Sequence, residues 1–223
     1  MMRFMQRWLW PIVILLALIG VVVALLRIVR LAPVLLGGTP PLPNPPPIDY
    51  MFPQFSWLTL AHILPGLLFM VLGPLQFNAR LRAKYPQMHR INGRLFVICS
   101  LVIGLTALVM SFVMPAIGGV NQATATALFS LYFLFALSKA FWHIRLHQVA
   151  AHREWMLRTF AIGLAVATIR PLVGIFYATS KLSGLTPHDF FGAAFWLGFV
   201  LHLMVAETWI NLTRPTYRVS IRT

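Results

Sequence analysis

The stretch KYPQMHRINGRLFV, residues 84–97, decides how this chain is organised, because basic residues give way there to an apolar run that continues to Met114. Runs of this kind recur along the whole chain. Of the 223 residues, 59% are hydrophobic and only 10% are charged, and the mean hydropathy is +0.80. Soluble globular domains carry about 25% charged residues. The composition therefore predicts an integral membrane protein.

Six apolar stretches are long enough to cross a membrane as helices. A hydrocarbon core of about 30 Å requires roughly 20 helical residues at about 1.5 Å per residue. The six stretches are Trp8–Leu26, Trp57–Phe77, Leu95–Met114, Ala123–His143, Trp155–Tyr177 and Phe190–Asn211. The sequence thus predicts an all-α, polytopic membrane bundle of six transmembrane helices.

The distribution of Lys and Arg predicts the orientation of this bundle, because cytoplasmic loops are enriched in both. With the N-terminus inside, the inner segments hold Arg3, Arg7, Arg80, Arg82, Lys84, Arg90, Arg94, Arg145, Arg153, Arg158, Arg214, Arg218 and Arg222. The outer segments hold Arg27, Arg30 and Lys181. We therefore expect both termini to be cytoplasmic.

The formal net charge of +14 indicates an anionic partner. The basic residues lie at the ends of apolar runs and form no separate domain, which disfavours a nucleic-acid partner. Anionic lipid headgroups at the inner loops are the expected partner.

The chain divides into four parts by composition. Residues 1–30 predict an N-terminal anchor helix, residues 31–55 an extracytoplasmic strap, residues 56–213 a five-helix membrane domain, and residues 214–223 a basic cytoplasmic tail. The strap contains GGTPPLPNPPPIDY, residues 37–50, whose prolines favour an extended connection over a helix. We therefore expect the first helix to be outlying and the other five to form the bundle.

A weak internal repeat links two helix starts. The pattern His89-Arg90, Arg94, Phe96 recurs, with one residue of slippage, as His152-Arg153, Arg158, Phe160. Two such hairpins packed side by side would bring the two histidines to the same depth. An equally good interpretation is that these positive residues are ordinary topology signals.

Ionisable residues inside predicted spans are costly and often functional. They are His62, Lys139, Arg170, His202 and Glu207. Lys139 and Glu207 both fall in the inner half of their spans, so we predict a structural ion pair between them. A proton relay would need the same two residues.

Paired imidazoles with nearby cations are the ingredients of a haem b site. An outward site would use His62 and His202 as iron ligands, with Arg170 meeting a propionate. An inward site would use His89 and His152 as ligands, surrounded by Arg90, Arg94, Arg153 and Arg158. Two haems would carry electrons across the bilayer to or from a quinone or another redox partner. Each histidine also has a simpler interpretation, as a hydrogen-bonding group between helices or a solvated imidazole near headgroups.

Other chemistry is disfavoured by what the sequence lacks. Four acidic residues leave little for a carboxylate-rich metal site or a two-carboxylate hydrolytic site. There is no phosphate-binding glycine loop and no nucleophile elbow. Cys99 is the only cysteine, so the chain has no internal disulfide.

Several stretches together resemble one bacterial membrane family. They are AHILPGLLFMVLGPLQF (61–77), HRINGRLF (89–96), AHREWMLRTFA (151–161) and ATIRPL (167–172). The family is catalogued as domain of unknown function family 2306, and the resemblance covers about residues 56–212. It implies a multi-pass protein of the bacterial inner membrane and leaves the activity open.

The histidine arrangement is also similar to that of di-haem b-type cytochromes, although the fourth span has no outward histidine and an outer site would need His202 from the last helix. Two functions from different classes therefore stay open. One is a haem b protein in transmembrane electron transfer. The other is a non-redox transporter of protons or small molecules, or an assembly scaffold.

Overall fold

The computed structural model describes residues 2–38 and 52–214, with only the backbone described for residues 2–7. Within these ranges the chain forms seven helices and no strand. The helices are α1 Met2–Leu35, α2 Ser56–Phe77, α3 Ala79–Lys84, α4 Pro86–Val113, α5 Gly119–Arg145, α6 Val149–Ser183 and α7 Pro187–Thr213. All except the short α3 are long and apolar enough to cross a membrane. The all-α bundle of six spans is therefore confirmed.

Local sequence sets several helix ends. Pro86 and Pro187 lie in the first turns of α4 and α7, where a helix does not need the missing N–H. Before α7, the backbone N–H of Thr186 donates to Asp189 Oδ2 at 2.9 Å, which is one half of a capping box. Gly184 ends α6 in the left-handed conformation, with φ of +70°.

The first helix extends further than its sequence predicts. We expected the anchor to end at residue 30 and the strap to begin at residue 31, but α1 continues to Leu35. Pro33 lies in the last turn and removes one backbone hydrogen bond, but the helix continues through apolar residues on both sides of it. The rest of the expected strap overlaps residues 39–51, and the tail after residue 214 likewise lies outside the described residues.

Five helices pack in a closed ring, each against the next, in the order α1, α2, α4, α5, α6 and back to α1. The last span, α7, packs against α5 and α6. Helix α1 is the least buried span, with 11% of its most apolar window buried, which fits its expected position at the edge of the bundle. One of its faces nevertheless fills the gap between α2 and α6. A cavity inside the ring is therefore enclosed by the first helix as well as by the later ones.

The two ends of the bundle differ in charge. We call the basic end the one formed by α3, the turn between α5 and α6, and the last turn of α7, where most described arginines lie. The far end carries the last turns of α1 and α4 and the first turn of α2. Large apolar side chains such as Leu68, Ile98, Leu131 and Leu201 are exposed on the flanks. An apolar flank between polar ends is what a bilayer-spanning protein requires.

Candidate functional site

A cavity of about 320 Å³ opens in the far half of the ring. Side chains from all six long helices line it, and most of them are apolar, including Ile63, Ile103, Phe69 and Phe133. Polar groups are few: Arg27, His62, Ser111, Gln122, Thr126, Ser130 and Arg170. Ligand pockets in proteins usually have this composition, with apolar walls and a few polar groups, and a volume of roughly 300–1,000 Å³.

The hydrogen bonds of His62 define which ring nitrogen carries its proton. Nδ1 lies 2.9 Å from Thr106 Oγ1. The Thr106 hydroxyl has a single hydrogen and donates it to the Val102 carbonyl at 2.7 Å, so it must accept from His62. Nδ1 of neutral His62 therefore bears the proton, and Nε2 keeps its lone pair. The ring also interacts with the Ile103 carbonyl, which lies 3.2 Å from Thr106 Oγ1 and so on the Nδ1 side. Within the described residues no side-chain hydrogen bond to Nε2 is found, which leaves this nitrogen as an acceptor at the cavity wall.

Two arginines also line the same cavity. Arg27 comes from α1 and is buried, with its guanidinium 3.7 Å from the centre of the Phe52 ring. Arg170 comes from α6 and is half-buried. Each also interacts elsewhere in the chain, but a guanidinium has five N–H donors and can serve more than one partner. The cavity therefore combines hydrogen-bond donors with one neutral imidazole acceptor.

The expected outward pair of histidines is not brought together. His62 lines the cavity and contacts α4, whereas His202 is not among the lining residues. Nε2 of His202 lies 2.7 Å from Thr168 Oγ1 on α6, and the ring also interacts with the Ala161 carbonyl. His202 thus joins α7 to α6, as the simpler interpretation of a membrane histidine expects. Arg170, in contrast, does share the cavity with His62 as expected.

The two histidines of the repeat do come close together. His89 and His152 lie within electrostatic range of each other at the basic end of the ring. The matching phenylalanines, Phe96 and Phe160, have ring centres 6.2 Å apart. His152 Nδ1 contacts the Ala140 carbonyl at 2.8 Å, so it carries the proton and leaves Nε2 with a lone pair.

Two amides connect to His89. The Asn92 amide nitrogen donates to the Leu72 carbonyl at 3.2 Å and to Gln76 Oε1 at 2.8 Å. This orients the Gln76 amide so that its nitrogen faces His89 Nε2, at 3.4 Å. A nitrogen that accepts from an amide carries no proton, so neutral His89 is protonated on Nδ1. That N–H is buried and has no partner in the described chain.

The arginines expected around the inward histidines have other positions. Arg90, Arg94 and Arg153 are exposed, and the cation that acts on His89 is Arg82 of α3. Arg158 is buried and faces α7. The expected cation shell around His89 and His152 is therefore not formed as predicted.

The predicted ion pair between Lys139 and Glu207 is wrong. Arg158 holds the Glu207 carboxylate in a two-point contact, with Nε to Oε1 at 2.5 Å and Nη2 to Oε2 at 2.8 Å. Lys139 instead lies beside the Trp155 ring, 6.0 Å from its centre. The reason is geometric: a planar guanidinium matches both carboxylate oxygens at once, which an ammonium cannot do.

Glu154 extends this pair into a short ionic chain at the basic end. It lies one helical turn from Arg158, with Oε2 3.9 Å from Nη1, and it binds Arg214 through both oxygens at 2.8 and 2.7 Å. Arg214 donates hydrogen bonds to the Glu154 carboxylate. These hydrogen bonds, together with the negative charge of Glu154, raise the pKa of the Arg214 guanidinium above its usual value. The chain joins the start of α6 to the end of α7.

Four functional or structural residues were not identified from the sequence: Arg27, Gln76, Asn92 and Glu154, the acidic neighbour of Arg158. Arg27 carries a signal that could have been used, because it is a single charge near the end of an apolar run. Glu154 and Arg158 have the four-residue spacing of a helical ion pair. Gln76 and Asn92 carry no comparable signal, since amides are common at the ends of membrane helices.

The fold and the cavity together define a class: a six-span helical membrane protein with a ligand-sized apolar cavity inside its ring. The family described as "Predicted membrane protein (DUF2306)" matches residues 59–210, which is more than half of the chain, and the chain belongs to this family. Helix α1, with Arg27, lies outside the matched residues. No curated protein and no solved structure matches the chain.

Proposed function

We propose that the protein binds a small membrane-soluble amphiphile with a hydroxyl head group, of the quinol class, in the ring cavity. The observation that carries this proposal is the neutral His62 imidazole, held by Thr106 with its Nε2 lone pair available, in an otherwise apolar cavity. The half-buried His62 ring presents this acceptor to an apolar cavity, where a hydroxyl donor from a ligand would form a hydrogen bond in low-dielectric surroundings.

The other groups of the cavity support the same ligand chemistry. Phe69, Phe133 and Phe199 offer aromatic surface to a flat ring. The guanidinium groups of Arg27 and Arg170, which also line the cavity, favour electron-rich oxygens of such a ligand. A quinol can donate one hydroxyl to the imidazole acceptor of His62. Its second oxygen can accept from an arginine donor.

A matched pair of ligands tests this proposal. Tetramethylhydroquinone carries the hydroxyl donors, and tetramethylquinone has the same shape without them. Purified protein in detergent, under anaerobic conditions, should bind the quinol more tightly. His62→Ala should lower quinol affinity by about fivefold, since a neutral hydrogen bond is worth about 1 kcal/mol and 1.4 kcal/mol is tenfold in affinity. Quinone affinity should hardly change.

His202→Ala is the control, because it removes a membrane histidine of similar environment that does not line the cavity. Equal affinity for the two ligands, or equal losses from the two histidine variants, would contradict the proposal.

A haem b protein in electron transfer is the second candidate. The observation that favours it is that His62 and Arg170 share one cavity, where they would hold the iron and a propionate of a haem. Of the two predicted outward ligands only His62 could do so, because His202 Nε2 contacts Thr168. A bound haem would supply one-electron chemistry. Protein expressed with ample haem should then show a Soret band that His62→Ala abolishes, and a colourless protein counts against this candidate.

The expected location is the bacterial inner membrane with the basic end in the cytoplasm. The support is the excess of Lys and Arg in the segments at that end. A reporter fused at the C-terminus should give a cytoplasmic signal. A reporter fused in the segment between α1 and α2 should give a periplasmic signal. The same signal from both fusions would refute this topology.

A further inference from the structure

Four phenylalanines close the cavity toward the basic end. They are Phe69 of α2, Phe96 of α4, Phe133 of α5 and Phe160 of α6, so that each of these four ring helices contributes one. Phe69 is central: its ring centre lies 4.6 Å from that of Phe96, 5.8 Å from that of Phe160 and 6.1 Å from that of Phe133. All four are at most 5% exposed. We call this layer the phenylalanine septum.

The septum rests on glycines. A Cβ at Gly163 would overlap the Phe69 ring, and a Cβ at Gly73 would overlap the Phe160 ring. On the cavity side, Phe69 and Phe133 form the lining, with Gly163 beside them. The septum is therefore a barrier made of side chains, and the cavity beside Phe69 and Phe133 offers space for a ring to rotate into.

Polar groups reappear directly beyond the septum. Phe77 packs on Phe160 with ring centres 5.0 Å apart, and its neighbour Gln76 is buried. Gln76, Asn92 and His89 form a hydrogen-bonded polar cluster, His152 lies within electrostatic range of His89, and the buried Nδ1–H of His89 has no partner in the described chain. Buried polar groups with unmet hydrogen-bonding capacity are rare inside membrane bundles and commonly line a path for a polar or hydrated molecule.

The cavity, the septum and the polar cluster thus lie in sequence inside one ring of helices. We propose that the protein transports its ligand: the septum is a gate, and the quinol-class amphiphile passes from the far-end cavity to the polar cluster when Phe69 rotates away from Gly163. This inference rests on the proposed function for the identity of the ligand, but the gate itself does not depend on it.

Cys99 provides a reporter for the gate. It is the only cysteine of the chain and is 6% exposed. On α4 it lies one helical turn from Phe96 of the septum and one turn from Ile103 of the cavity wall. Phe69→Ala should open the cavity to this thiol and raise its alkylation rate by N-ethylmaleimide at least tenfold. Phe190→Ala is the control, because it deletes an equally buried ring from the cluster with Phe176 and Phe191. Equal rates in the two variants would overturn the gate.

Transport is tested with a membrane-impermeant quinol. Vesicles containing the reconstituted protein are loaded with ferricyanide, and 2,5-dihydroxybenzenesulfonate is added outside. Bleaching of ferricyanide should be at least fivefold faster than in protein-free vesicles, slower with His62→Ala and faster with Phe69→Ala. A rate equal to that of protein-free vesicles overturns transport.

The two proposals fail in different ways. Binding of tetramethylhydroquinone without flux overturns transport and leaves the binding site intact. Absence of binding refutes the quinol site, and the Cys99 result still decides whether the septum closes the cavity.

Discussion

The Arg158–Glu207 pair should be the main electrostatic link between α6 and α7. Replacing Glu207 by Met leaves a buried guanidinium, 8% exposed, that cannot lose its proton. Two unit charges about 4 Å apart at an effective dielectric of about 20 interact by about 4 kcal/mol. Breaking such a pair usually costs roughly 3–5 kcal/mol. Because the Glu207 side chain is 39% exposed, the expected loss is at the lower end of this range, about 3 kcal/mol.

This loss can be measured as thermal stability in detergent. For a chain of this length about 1 kcal/mol corresponds to roughly 2–4 °C, so Glu207→Met should lower Tm by about 6–12 °C. The double variant Arg158→Met/Glu207→Met should recover most of the loss, since an apolar replacement of both partners is often close to neutral. The recovery separates an ion pair from simple packing.

Lys139→Met supplies the contrast. Lys139 makes only a distant contact with the Trp155 ring, worth about 0.5–1 kcal/mol, so its Tm should fall by at most a few degrees. If Lys139→Met lowered Tm as much as Glu207→Met, and the two losses were strongly non-additive, Lys139 would be the true partner of Glu207 and the reasoning would be refuted.

Two further predictions concern packing and capping. Gly73→Ala should lower Tm by several degrees because its Cβ would overlap the Phe160 ring, whereas Gly174→Ala, with no atom nearby, should be neutral or slightly stabilising; equal effects would show that Phe160 yields easily. Asp189→Ala should lower Tm by at most a few degrees, because it removes the side chain that accepts from the Thr186 N–H, and an unchanged Tm would show that this cap is not needed.

The spans could be predicted because each depends on local composition alone. An apolar run of about 20 residues has few alternatives to a membrane helix, and the six runs map onto six helices. The ends were less predictable: α1 continues two residues past Pro33, although a proline there removes a backbone hydrogen bond, and the proline-rich sequence that follows predicted an earlier end.

Side-chain partners depend on which helices are neighbours and how each is rotated, and apolar periodicity leaves both undetermined. Glu207 and Lys139 have similar depth, so pairing them was reasonable, but the rotation of α6 places Arg158 closer. His62 and His202 illustrate the same point, since each bonds a threonine on a different helix. Similar depth is thus a necessary condition for contact and not a sufficient one.

The position of α1 in the ring has a consequence for how the protein is made. Its neighbour α6 begins at Val149, while α1 ends at Leu35, so the ribosome must deliver three intervening spans before the ring can close. Until then the ring is open between α1 and α5, and Arg27 and His62 are not yet shielded from lipid by α6. Insertion of α6 is therefore the committing step of biogenesis, and a chain that stalls after α5 is a natural substrate for membrane quality control.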